Sequence, residues 1–338
     1  MKLLKRKEEK KTEQEKVEER REEVLSKGRK FKYPLQWTRH RIVVNTVLIA
    51  FVVVAFLMVG GWLALYRLNM TDELLFRITE ILPVSVAKVD DKNVRFSDYL
   101  MFYRSSIISI ERQSGSSTED SFEELSSEYK LAALDKAEQY TYALKLAGEL
   151  EIDVDSSEID AEYERHRKVG GTDRSEEGFA KILSDNFGLS KTEYRRMLYL
   201  TLIRSKVETE IDENANEISK KIEKMLSENG SNYQAVAEAL GDAVIYEETG
   251  GLVDSKNIDG GRASEALKLE PGGETGRFIS MNGDGYYFVK LIKKTDTEVN
   301  FVSLRVPFTE FETRFQELRD SGKIQEYIEI KTSSEELE

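Results

Sequence analysis

The feature that most constrains this chain is the run IVVNTVLIAFVVVAFLMVGGWLALY, residues 42–66, which holds 25 residues without one ionisable side chain. At about 1.5 Å of helical rise per residue, such a run covers the roughly 30 Å hydrocarbon layer of a membrane with some tilt. A cleaved leader would have a shorter apolar region nearer the start and a small-residue cleavage site. This run follows 41 residues and has no convincing site of that kind, so the expectation is an uncleaved single-pass anchor. Lys27, Arg29, Lys30, Lys32, Arg39 and Arg41 precede it, with no acid between Val24 and Ile42, whereas Arg67 is the only basic residue in the nine that follow. That asymmetry places the N-terminus in the cytoplasm and residues 67–338 outside it, in a protein of the cell membrane. Trp37, Trp62 and Tyr66 fall near the two expected interfaces.

Charge divides the chain the same way. Residues 1–41 carry 15 Lys/Arg against 8 Asp/Glu, a net +7 with too few apolar positions for a core, and read as a basic cytoplasmic tail. The 272 residues after the run carry 35 Lys/Arg against 55 Asp/Glu, a net −20. Phosphate contacts need concentrated basic side chains, so nucleic acid is not an expected partner. With no Cys and only His40 and His166, disulfides, Cys-based zinc sites, iron–sulfur clusters and thiol nucleophiles are excluded. No nucleotide-binding loop or nucleophile triad is present, and neither cofactor nor metal is expected.

Residues 67–83 read as a juxtamembrane helix and 84–210 as a mainly helical domain. Within it, 86–99 gives two short strands around an Asp90-Asp91 turn, with Ser97 capping a helix that starts near Asp98. A polar loop over 113–121 precedes a long helix around 122–150, in which Leu131, Leu134, Ala137, Thr141, Leu144 and Ala147 share a face. Asp155 or Ser156 caps a charged helix stopped by Gly170-Gly171, and Ser190 and Glu193 have capping-box spacing. Asp153, Asp155, Ser157 and Glu164 match positions one, three, five and twelve of a calcium-binding loop. Glu158 stands where that loop needs Gly, so capping and solvation explain them. His166 reads as an exposed helix residue.

The order of these motifs resembles the N-terminal domain of the SurA/PrsA/PpiD class of extracytoplasmic foldases. The likeness rests on the V-x-x-V opening before the Ser97-Asp98 helix, Ala133-Leu134-Asp135 in the long helix, the Ile152-Asp153-Val154 turn, and the Gly-Leu-Ser-x-x-Glu helix start. It implies a helical cradle that holds unfolded secreted polypeptides without ATP.

Residues 211–330 read as an α+β domain with a small, mostly antiparallel sheet, followed by an acidic tail over 331–338. Tyr287, Val289 and Leu291 alternate with Tyr286, Phe288 and Lys290, a strand with two dissimilar faces. The N-Y-x-x-V-A helix, Gly250-Gly251-Leu252, A-L-K-L-E-P-G-G-E (266–274) and G-Y-Y-F-V-K (285–290) resemble a parvulin-type peptidyl-prolyl isomerase. The family's opening His-bearing strand is absent, however, and Tyr287 replaces the His of its last strand. The resemblance therefore implies a degenerate or rearranged fold retained for binding, with no catalytic residue assigned. Residues 299–308 are expected to turn at 295–298 and pair antiparallel with 285–292 in place of the missing strand. A helix over 308–322 and a strand or helix over 324–330 would complete the domain. Met281, Tyr287, Phe301 and Leu304 are candidates for a peptide-contacting surface, with core packing as the competing reading.

Taken together, the fold class is α+β: one transmembrane helix, a helical chaperone-like domain and a parvulin-like domain. The expected function is an ATP-independent, membrane-anchored chaperone or foldase. Its partners are unfolded or nascent secreted polypeptides, the membrane through residues 42–66 and, beyond these, the secretion channel. The alternatives are an active proline isomerase with an unusual pocket, in which Tyr287 donates a hydrogen bond, and a non-enzymatic adaptor of an envelope complex.

Overall fold

A computed structural model describes residues 14–27, 34–114, 119–168, 173–257 and 259–330. The Gly170-Gly171 stop, the 331–338 tail, and parts of the basic tail and the 113–121 loop lie outside them. The chain divides into two compact units between residues 64 and 65. The first holds a helix over 14–27 (α1) and most of α2 (Pro34–Tyr66). Proline at the first helical position costs α2 nothing, because that N–H has no intrahelical acceptor. Residues 41–66 of α2 are the one stretch among the described residues long and apolar enough to cross a membrane.

The second unit is mostly helical, with a small antiparallel sheet in its C-terminal part. After α3 (Glu73–Ile81), strands β1 (Ser85–Val89) and β2 (Lys92–Arg95) form the expected hairpin, with Asp90 at φ 53° in its turn. Helix α4 (Phe96–Ser114) begins two residues earlier than the Ser97 cap predicts. Ser97 and Asp98 sit in its first turn, and Asp98 pairs instead with Arg196 at 2.9 Å. Helix α5 (Glu119–Glu149) packs between α4 and α8 (Lys191–Ile211). Their shared core is aromatic and aliphatic: Tyr99, Leu100 and Phe102 from α4, Leu134 and Ala137 from α5, Leu200 and Ile203 from α8. Two shorter helices, α6 (Ser156–Arg167) and α7 (Glu176–Phe187), bury Tyr163, Phe179 and Leu183 against Leu198.

Local signals decide the helix starts. Asp155 and Glu158 close a capping box on α6, as do Ser190 and Glu193 on α8, so the N-cap and third-position N–H groups at each helix start find side-chain acceptors. Asp153, Asp155, Glu158 and Glu164 spend their carboxylates on Val154 N–H, the α6 box, Lys206 and Arg167 respectively.

Beyond α8, α9 (Glu213–Glu228) and α10 (Tyr233–Leu240) lead into a five-stranded antiparallel sheet. Its strands are β3 (Ile245–Glu248), β4 (Val253–Asp254), β5 (Phe278–Ile279), β6 (Gly285–Lys294) and β7 (Glu298–Pro307). The order is β3-β7-β6-β5, with β4 also on β7. Strand β7 pairs with β6 from Pro307 opposite Gly285 to Val299 opposite Lys294, the antiparallel partner expected for residues 285–292.

The two faces of β6 are less dissimilar than its alternation suggests, because both are covered. Tyr286, Phe288, Leu304 and Val306 pack under α9 and α10, while Val289, Leu291, Val299 and Phe301 pack under α11 (Arg262–Leu267). A strand buried on both faces loses the polar alternation of a half-exposed one.

The C-terminal segment forms the expected helix and strand, but docks them on the helical domain. Helix α12 (Glu310–Asp320) leaves the sheet and lays Phe311 and Phe315 against Tyr142 of α5, at centroid distances of 5.2 and 5.8 Å. The residues expected to complete the second domain then form β8 (Ile324–Glu326), which pairs with β1 through Ala87–Glu326 and Val89–Ile324. The physical reason is the unpaired edge of β1: β2 occupies one side only, and β8 supplies backbone partners on the other. Buried Asp212 joins the halves. Its Oδ1 accepts Ala215 N–H at the start of α9, and its Oδ2 accepts the N–H groups of Thr309 and Glu310 at the start of α12.

Candidate functional site

Tyr287 lies on β6 directly opposite Arg305 of β7, on the sheet face that also carries Ser303. The residue is 3% exposed. Its hydroxyl donates to Asp284 Oδ2 at 3.2 Å, and the Arg262 guanidinium lies 5.5 Å from its ring centre. Asp284 is shared: the Ser280 hydroxyl donates to its other oxygen, and Arg305 pairs with it at 3.3 Å. Arg262, placed by the start of α11, also pairs with Glu247 and reaches Ser303 Oγ at 3.4 Å. Burial, reinforced by the Asp284 carboxylate, pushes the Tyr287 hydroxyl above its ordinary range. The cluster is thus a network of two arginines, two carboxylates and two hydroxyls around one phenol.

The loop before β6 approaches the helical domain closely. Gly283 has φ 71°, and a Cβ there would stand 2.7 Å from Ser205 Oγ of α8, so the close approach requires glycine. Met281 lies against Gly261, and Arg165 of α6 donates to its sulfur at 2.8 Å. A cleft of about 290 Å³ remains beside the loop. Tyr140, Thr201, Arg204 and Glu208 line it from the helices, and Asn282, Asp284, Arg305 and Phe308 from the sheet side. Burial raises the Glu208 carboxyl even though Arg204 pairs with it at 2.6 Å. A second cleft, about 430 Å³, lies between α8 and β5 and is lined by Ile152, Lys206, Thr209 and Ile279 among others.

The four residues proposed from sequence do not form one surface. Met281 is exposed, Tyr287 is buried in the network, and Phe301 and Leu304 are core residues on opposite faces of the sheet. Sequence reasoning missed Asp284, Arg262 and Arg305. The one local signal was Asp284, three residues before Tyr287; the arginines are brought in by cross-strand register and by α11.

His166 is half-buried rather than exposed. Its Nδ1 meets the Tyr194 hydroxyl and its Nε2 lies 3.1 Å from Glu162. Burial alone would raise the Glu162 carboxyl, but hydrogen bonds from His166 and Arg165 outweigh it and bring it down to about 2. These groups satisfy one another.

A further buried carboxylate stands where the C-terminal segment docks. Glu138 of α5 is fully buried, Arg319 of α12 donates to its Oε2 at 3.1 Å, and Oε1 has no partner. Burial, together with Glu326 nearby and despite Arg319, raises its carboxyl to about 8.

A family model described as the SurA-like N-terminal domain matches residues 35–208, from the start of α2 to within α8 and just over half of the chain. No curated protein and no solved structure matches it.

Proposed function

The chain belongs to the family of the SurA-like N-terminal domain, and from that premise we propose that it is an ATP-independent chaperone, anchored in the membrane by residues 42–66, that holds unfolded or newly secreted polypeptides outside the cytoplasm. The SurA-like N-terminal domain points to a chaperone- or foldase-type role. The match over 35–208 carries the proposal. In this reading an anchor adjoining the cradle keeps it at the membrane, where an emerging chain is at high local concentration, so weak contacts with apolar segments suffice. The basic flank before residue 42 and its absence afterwards support an extracytoplasmic domain.

The parvulin-like segment is read as a binding and bracing element. Lowering the proline isomerisation barrier of about 18–20 kcal/mol requires a dry pocket that stabilises the twisted amide. At the position of interest the Tyr287 hydroxyl is already committed to Asp284 and its ring is covered by Arg262. Met281 remains a candidate peptide contact.

The test is a pair of assays on the full chain in nanodiscs: suppression of aggregation of an unfolded polypeptide without nucleotide, and protease-coupled isomerisation of a proline peptide. Suppression without isomerisation is the expected result. Isomerisation abolished by Tyr287→Phe would overturn the bracing role, and failure of both would overturn the chaperone reading in favour of an adaptor.

A further inference from the structure

Helix α3 is apolar on two sides. Leu75, Phe76 and Thr79 are buried, with the helix packed on α4. Leu74, Ile78 and Ile81, at helical spacing along another face, are exposed, Ile81 to 83%, and so is Leu82 just past the helix end. The charges of α3 are engaged at its flanks, since Arg77 pairs with Glu73, Glu80 and Glu193. An outward stripe of three large aliphatic residues, with Leu82 beyond it, is more than scattered surface apolarity and asks for a partner.

Chain connectivity says which partner is always within reach. Six residues, 67–72, separate the end of the apolar run from α3, a span of at most about 25 Å even if fully extended. The connection is far from slack. Leu65 is buried, the Tyr66 hydroxyl donates to Ser85 O at 2.6 Å, its ring meets Phe96 edge-on, and Asn69 donates to Glu329 O. Phe96 begins α4, the helix on which α3 packs. Leu68 and Met70 of the connection are exposed as well.

We propose that α3 is an interfacial helix, its Leu74-Ile78-Ile81 stripe seated in the headgroup–acyl boundary of the membrane crossed by residues 42–66. The inference rests on the anchor reading and extends it: α3 adds a second point of contact with the bilayer. A lipid surface meets the stripe at any protein concentration, whereas a client or second copy must be encountered. Asp72, Glu73 and Glu80 beside the stripe suit neutral lipid rather than anionic lipid.

Because the chain has no native Cys, a single substitution gives a single labelling site. Leu57→Cys, Ile78→Cys, Ile81→Cys and Gln316→Cys, each carrying an environment-sensitive fluorophore, are placed as full chains in phosphatidylcholine nanodiscs with spin-labelled lipid. Quenching at 57, 78 and 81 several-fold above that at 316 is the expected result. Quenching at 57 with none above the 316 level at 78 and 81 overturns the interfacial helix and leaves the anchor standing. No quenching at 57 removes the anchor and the inference together. If 78 and 81 respond instead to an added unfolded polypeptide, or to dilution of the protein, the stripe belongs to clients or to a second copy, and the proposal fails.

Discussion

Replacing Glu138 with glutamine should stabilise the protein, and by an amount that grows with pH. The carboxyl is held near 8 in the folded state against an ordinary 4.5, with burial as the leading cause and the Arg319 partner unable to offset it. The unfolded chain therefore loses this proton before the folded one does. Folding stability falls as pH rises through 4.5, at about 1.4 kcal/mol per unit, and the loss is complete above pH 8 at roughly 5 kcal/mol. The amide in Glu138→Gln mimics the protonated carboxyl and does not titrate. Other shifted groups, among them Glu208, Asp259 and Glu162, are common to both proteins and cancel in the difference. Urea unfolding of wild type and Glu138→Gln in micelles at pH 5, 7 and 9, followed by far-ultraviolet circular dichroism, measures that difference. It should be below about 1 kcal/mol at pH 5 and several kcal/mol in favour of the variant at pH 9. A pH-independent difference, or a wild type favoured at pH 9, would show that Arg319, Asp135 and Glu326 do not leave Glu138 in the environment described.

Three further substitutions probe the way the chain closes on itself. Phe315→Ala removes a ring packed on Tyr142 and Phe311 and should cost about 3–5 kcal/mol, with faster hydrogen exchange in β8 and β1 together because α12 and β8 dock as one segment. Asp212→Ala strips the acceptor from three backbone N–H groups at the starts of α9 and α12. A loss of roughly 3 kcal/mol is expected on urea unfolding, with partial recovery in Asp212→Asn, which keeps one oxygen. Gly283→Ala meets both a left-handed backbone and Ser205, so it should cost about 1–2 kcal/mol from the backbone alone, and Ser205→Gly should restore part of the steric remainder.

Features carried by neighbouring residues are legible in the sequence itself. The apolar run of 42–66 announces a long helix, Ser190 and Glu193 announce the start of α8, and the Asp90-Asp91 turn announces the β1–β2 hairpin. The β6–β7 pairing was also readable, since a short turn at 295–298 leaves few other registers. What escaped depends on distant contacts. Nothing local in Ile324–Glu326 says that it will pair with β1, more than two hundred residues earlier. Phe301 and Leu304 were ambiguous because burial on both faces of a strand looks the same in sequence as an apolar binding surface, and only the cover given by α9, α10 and α11 resolves it. The exposed stripe of α3 was hidden for a related reason: Leu74, Leu75, Phe76, Ile78 and Ile81 read as one apolar helix until the fold shows which of them it buries.

The central claim is that the SurA-like N-terminal domain serves here to hold unfolded polypeptide. Its most direct test is equilibrium binding of one protein, in its native form and in a permanently unfolded form, to the full chain in nanodiscs without nucleotide. The account predicts saturable binding of the unfolded form and none of the native form. Equal binding of both, or binding of neither, would contradict it.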